Sequence, residues 1–243
     1  MKDTTKKKRQ RLLGTNAKTQ KSEKTGALVA SHQLSPATES IPFGGIHMCA
    51  EASDGCMGGC LKNAGMHVMP THLSARVRRT LYWLRQPEQY HHQLNKELQA
   101  HARKAERLNL EAWARPNTLS DQPELAIRCC EDNPDMKFYD YTKRLKWWTK
   151  NLHRQPSNYF LVLSRSETNH DRWLQLMNTN EWVGAVVFDG PMPSTWHGFP
   201  VVDGTTDDSG WLSPPGTIRG LKLIGTNEAK RKARESGFAI ITN

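Results

Sequence analysis

From Glu111 to the C-terminus the sequence runs as short apolar segments, each closed by polar residues. EAWAR passes into PNTLSD, KFYDYT into Lys143 and Arg144, NYFLVLS into RSETN, WVGAVVF into Asp189 and PVV into DGTTDD, followed by TIRGLKLIG and GFAIIT. Phe160 to Leu163 and Val183 to Phe188 are continuously apolar, the pattern of strands covered on both faces. Helical spacing lies between several segments, notably from His170 to Met177. This alternation predicts an α/β fold of mostly parallel strands, a partial or complete (β/α) barrel. In such folds the working residues sit where strands end and loops begin. Those ends carry Asn117, Ser120, Asp121, Lys143, Ser164, Glu167, Asn169, Asp189, Asp203 and Lys222. Polar residues that close turns give the same composition, so the prediction lies in their convergence on one rim.

Upstream, Val77, Leu81 and Leu84, then Tyr90, Leu94, Leu98, Ala102 and Ala105, recur at helical spacing. They predict two long helices divided at Pro87, which suits the first turn of the second. Further upstream, Lys2, Lys6, Lys7, Lys8, Arg9, Arg11, Lys18, Lys21 and Lys24 crowd a stretch with few apolar residues beyond Leu12 and Leu13. Such composition buries too little surface to offset the entropy of ordering. Residues 1–40 are therefore predicted to be a basic flexible arm, and 41–243 the folded domain. A net charge of +10 makes nucleic acid an expected partner through that arm. No run approaches the roughly 20 apolar residues of a membrane span, and MKDTTKKKRQ lacks the apolar block of a secretory signal. No membrane partner and a cytoplasmic location are expected.

Three of the five cysteines, Cys49, Cys56 and Cys60, fall within CAEASDGCMGGC at spacing C-x6-C-x3-C. An odd, clustered set argues against a disulfide framework and for metal or redox chemistry. Gly55, Gly58 and Gly59 let the backbone wrap closely around a ligand. Three thiolates can hold three irons of a four-iron cluster and leave the fourth open. Zinc is the alternative metal, because one of His47, His67 or His72 would complete a Cys3His set. Cys129 and Cys130 read as core or helix-face residues. Asp203, Asp207 and Asp208 form a second candidate, a magnesium site of a nuclease or phosphotransferase. Trp147 and Trp148, set among Lys143, Arg144, Lys146 and Lys150, either anchor a helix or stack on nucleobases.

Several motifs occur in one order: LLGTNAKTQKSEKTG, the cysteine loop with LKNAG after it, Arg115, Asn117, Ser120 and Asp121 as R-x-N-x-x-SD, FYDYTK, PSNYFLVLSRSETN, VVF, HGFPVVDGTTDD and GLK. This succession resembles a family of bacteriophage and plasmid proteins of the gene product 88 kind, distantly similar to radical SAM enzymes. The resemblance implies a partial (β/α) barrel whose Cys49, Cys56 and Cys60 hold a [4Fe-4S] cluster, with S-adenosylmethionine on the unique iron. An electron from an unidentified donor would cleave the sulfonium bond and give a 5'-deoxyadenosyl radical. It further offers Asn117, Ser120, Asp121, Lys143, Ser164 and Asn169 as cofactor contacts, and the host cytoplasm as location. The spacing differs from the C-x3-C-x2-C of radical SAM enzymes, and Gly59 stands where an aromatic residue usually precedes the last cysteine.

Overall fold

In a computed structural model, which describes residues 10–15, 17–206 and 209–243, the apolar runs become strands of one ten-stranded sheet. The chain passes through β1 (Leu13–Gly14), α1 (Ala17–Lys21), β2 (Ala27–His32), α2 (Ala37–Gly44) and α3 (Asp54–Gly58) into two long helices, α4 (Pro70–Arg85) and α5 (Pro87–Arg107). Next come β3 (Glu111–Arg115), α6 (Pro123–Glu131), β4 (Lys137–Thr142), α7 (Leu145–Lys150), β5 (Tyr159–Ser164), α8 (His170–Met177) and β6 (Val183–Asp189). The hairpin β7 (Thr195–Trp196) and β8 (Phe199–Asp203) precedes β9 (Ile218–Lys222), α9 (Asn227–Glu235) and β10 (Ala239–Ile241). Both long helices begin on a proline at the first turn, where its missing N–H costs no hydrogen bond.

Strands β2 to β6 are parallel neighbours in chain order, joined by helices, so the sheet winds in one direction. Their C-terminal ends therefore share one edge. At β6 the sheet branches. Val183–Ala185 pairs with β5, and beyond the end of β5 the residues Val187–Asp189 take β10, while β9 runs along the opposite side. Among the described residues no pairing joins the β1 edge to the β7 edge. The sheet is open, which corrects the expectation of a complete barrel. Antiparallel strands stand at both ends, β1 on β2 and β7 on β8, and they occupy the edges that closure would need.

The main core lies between one sheet face and the helices, where Leu94, Leu98, Ala114, Leu125, Phe138, Trp148 and Leu161 pack together. Trp173 of α8 lies fully buried against the sheet, its indole N–H donating to Leu163 O at 2.7 Å. It fits because residue 184 is glycine: a Cβ there would sit 2.9 Å from Met177 Sδ. On the other face Ala27, Val29, Trp113 and Tyr139 pack under Trp211, whose ring stacks on Trp113 at 4.0 Å.

Part of residues 1–40, predicted as an arm, belongs to the sheet. All six residues of β2 are buried, and β2 pairs with β1 and with β3 inside the sheet. Glu97 of α5 accepts the N–H groups of Leu12 and Leu13 at 2.9 Å, which ties β1 to the helix. ALVASH opens with four apolar residues, enough for a short buried strand but too few to outweigh the lysines around it in a count of composition. Lys2, Lys6, Lys7, Lys8 and Arg9 lie outside the described residues.

His32 ends β2, fully buried between Pro116 O, 2.7 Å from Nδ1, and the Tyr90 hydroxyl on Nε2. Burial lowers its pKa to about 4. A folded value below the unfolded 6.5 means that the neutral ring's stabilisation is present above pH 6.5 and is lost as pH falls toward 4. That loss amounts to about 3 kcal/mol. An NMR titration is expected to show His32 uncharged at pH 5, whereas a midpoint near 6.5 would contradict its packing.

Candidate functional site

The cysteine loop, which runs between α2 and α4, lies across the C-terminal ends of the parallel strands. Met48 O accepts the Asp121 N–H and the Gln122 side-chain amide, each at 2.9 Å, and Cys49 Sγ donates to Leu119 O at 3.5 Å. These contacts fasten the loop to the segment following β3. From the segment following β5, the Glu167 carboxylate accepts the Ser53 hydroxyl and the Gly55 N–H, both at 2.8 Å. Ser53 is the N-cap of α3 and accepts the Cys56 N–H at 3.1 Å. One carboxylate thus fixes the turn that presents Cys56, where acidic charge suits the amide-rich helix start. Gly55 is obligatory for this contact. A Cβ there would overlap Ser236 Oγ and lie 2.6 Å from Phe238 Cβ and 2.7 Å from Glu167 Oε1.

All five cysteines are free. Cys49 and Cys60 are partly exposed as residues but turn their thiols inward, and burial raises both pKa values, that of Cys60 to about 11. Asp121, Cys60 and Cys56 raise Cys49 further, and Cys56 also raises Cys60. Lys143 stands among them. Burial opposes its charge, but Cys56, Asp121, Cys49 and Cys60 outweigh that and raise its pKa. The sequence-predicted Cys49, Cys56, Cys60, Asp121 and Lys143 are therefore one electrostatic neighbourhood. Among the described residues no three His, Cys, Asp or Glu side chains converge on a common metal position. His67 lies instead beside Arg76, His72 and Glu39. Cys129 and Cys130 are buried in the helix-side core.

The remaining rim residues hold the loops in shape. Asp121 accepts Thr142 Oγ1 at 2.9 Å and the Lys143 N–H at 2.8 Å, so it sets the end of β4. Its burial raises its pKa to about 6. Asn117 donates from its backbone and side chain to Asp140, and accepts the Ser120 hydroxyl and the Gln122 N–H. Burial lifts Asp140 to about 7 against the opposing charge of Arg115. Asn169 accepts the Ser166 N–H at 2.7 Å and donates to Ser164 O at 3.1 Å. Ser120 and Asn169 are thus engaged within their own loops, and Asn117 with its own loop and with Asp140 of β4.

Other sequence candidates fall elsewhere. Asp189 pairs with Arg234. Lys222 is exposed. Asp203 accepts the Thr205 N–H at 2.7 Å in an exposed turn, while Asp207 and Asp208 lie outside the described residues. Trp148 is core and Trp147 is half-buried, with Arg144 and Arg154 over its ring at 5.6 and 5.5 Å. Open hollows of about 510 and 540 Å3, both lined by Asp135 and Lys137, lie at the opposite, N-terminal end of the strands.

Sequence reasoning missed Arg165, which donates to Gly237 O and, at 3.0 Å, to Phe238 O, and so bridges the end of β5 to the start of β10. Glu167 was visible only as one rim residue among many. The signal was the dense polar run SRSETN directly after a buried strand.

A one-directional parallel sheet whose strand ends are crossed by a thiol-bearing loop defines an α/β protein with its candidate site in the position usual for parallel sheets. The chain belongs to the gene product 88 family, whose model matches residues 5–240. No curated protein and no solved structure matches it.

Proposed function

We propose that this is an iron-sulfur protein of radical-SAM-like architecture, its open sheet corresponding to a partial barrel. Cys49, Cys56 and Cys60 hold three irons of a [4Fe-4S] cluster, and the fourth is left to S-adenosylmethionine. The supporting observation is the gathering of three thiols with Lys143 at the strand ends. The donor set suits such a cluster, because three cysteine ligands would leave its fourth iron open to a cofactor. When bound, the cluster supplies the electron that opens the sulfonium, drawn from a donor protein or reductant. The chain's part is to bind and orient. Lys143 offsets the negative charge of thiolate ligands, Glu167 holds the turn bearing Cys56, and Asp121 fixes Lys143 through its N–H. The substrate class is a nucleic acid, nucleotide or protein, modified on behalf of a mobile element in the host cytoplasm.

Reconstitution with iron and sulfide under anoxic conditions tests the ligand set. Wild type is expected to take up about four irons per chain, and Cys56→Ala or Cys60→Ala to lose the brown chromophore. Cys129→Ala, in the helix-side core, is expected to keep it in the folded fraction. Equal uptake by all four proteins would remove the assignment.

A further inference from the structure

Several cations of this protein are paired with carboxylates, whereas one face gathers six exposed cations that are not. Arg128 pairs with Glu88 at 2.7 Å, Arg154 with Glu124 at 2.6 Å, Arg231 with Glu235 at 2.7 Å and Lys232 with Glu228 at 2.9 Å. Lys137 pairs likewise with Glu111, and Arg234 with Asp189. On the α4–α5 hairpin and the chain entering it, Arg11, Arg78, Lys96, Arg103, Lys104 and Arg107 are all exposed. None of these six pairs with a carboxylate among the described residues.

These cations form a band. At about 100° per residue, Lys96, Arg103 and Arg107 share one stripe of α5, with Lys104 on the flank nearer β1. Arg11 and Lys104 both act on His101, and Arg79 donates to Arg11 O beside Arg78, which carries the charge onto α4. The acids of the hairpin do not interrupt it. Helix α4 has none, Glu88 is paired, and Glu97 is turned to the N–H groups of Leu12 and Leu13. Glu106 is exposed but lies about 60° round the helix from Arg103. The sequence run Lys6-Lys7-Lys8-Arg9 immediately precedes Gln10, which is held on this face by Ala75 O at 2.8 Å and Gln93 Nε2 at 2.6 Å.

We propose that the outer face of the α4–α5 hairpin binds the phosphate backbone of nucleic acid. Unpaired, exposed cations at helical spacing attract a polyanion by releasing its counterions. A lipid surface fits less well, because membrane binding needs apolar side chains beside the cations, and between Leu73 and Leu108 no large apolar side chain is exposed. The proposal does not depend on the cluster.

The test is fluorescence anisotropy of full-length protein with random-sequence DNA and RNA oligonucleotides, between about 50 and 200 mM salt. The triple variant Lys96→Ala/Arg103→Ala/Arg107→Ala is expected to bind about tenfold or more weakly, with the slope of log K against log salt reduced by about 2 to 3. Arg128→Ala/Arg154→Ala/Arg231→Ala removes the same charge from paired sites and is expected to bind like wild type. Circular dichroism checks that both triples fold. Equal weakening by both triples, no weakening by the first, or no binding by wild type would overturn the proposal. So would binding of the face to phosphatidylserine vesicles in place of oligonucleotides.

Discussion

Gly55→Ala is expected to unseat the cysteine loop and to cut metal uptake about 10- to 100-fold, the range seen when groups behind metal ligands are lost. The added methyl overlaps Ser236 Oγ and presses on Phe238 Cβ and Glu167 Oε1, so α3 must move off the turn between α9 and β10. Overpacking of this kind costs about 1–3 kcal/mol locally. The Gly55 N–H and the Ser53 hydroxyl then part from Glu167, and Cys56 moves with them. Glu167→Ala reaches the same end from the other partner, and Glu167→Gln, which still accepts one of the two bonds, is expected to fall between. Amide hydrogen exchange of metal-free protein gives an independent readout. Protection at Gly55 and Cys56 should fall in Gly55→Ala and Glu167→Ala while β4 and β5 stay protected, and unchanged exchange in both variants would contradict the clamp.

Glu39→Ala is expected to cost about 3–5 kcal/mol of stability and to lower Tm by roughly 10 °C. Arg76 is 1% exposed and its only carboxylate partner among the described residues is Glu39, 9% exposed, which it meets at 2.6 and 3.1 Å. Removal of the carboxylate leaves a guanidinium in the interior with His67 O as its remaining acceptor, at 3.1 Å. The pair joins α2 to α4, the two helices between which the cysteine loop is strung. Replacing both members, Glu39→Leu with Arg76→Met, is expected to recover most of the loss, because no charge then remains buried. Thermal unfolding decides. A Glu39→Ala protein within a degree or two of wild type would show that Arg76 finds water instead.

Much of the fold was legible because its determinants are local. Continuous apolar runs such as Val183 to Phe188 are satisfied by cover on both faces, and Pro87, set between two helical patterns, marks the start of the second helix. Closure of the sheet was not legible, since it depends on what occupies the edges, and β1 is a two-residue strand with no periodicity to read. The first core strand was hidden by the lysines around ALVASH, because a count of charge over forty residues averages away a six-residue run. For the site, the cysteine spacing and the rim position of Asp121 and Lys143 were readable. That Asn117 and Asn169 serve their own loops was not, since a strand-end amide looks the same whether it faces a ligand or a neighbouring N–H. Glu167 and Ser53 are 114 positions apart, a pairing that no local pattern encodes.

The proposed function depends on whether the loop from Cys49 to Cys60 carries iron. Iron, acid-labile sulfide and zinc, quantified per chain in protein purified without oxygen, decide it. About four irons with matching sulfide and little zinc is the predicted result. Colourless protein with one zinc per chain, or with no metal at all, would contradict it.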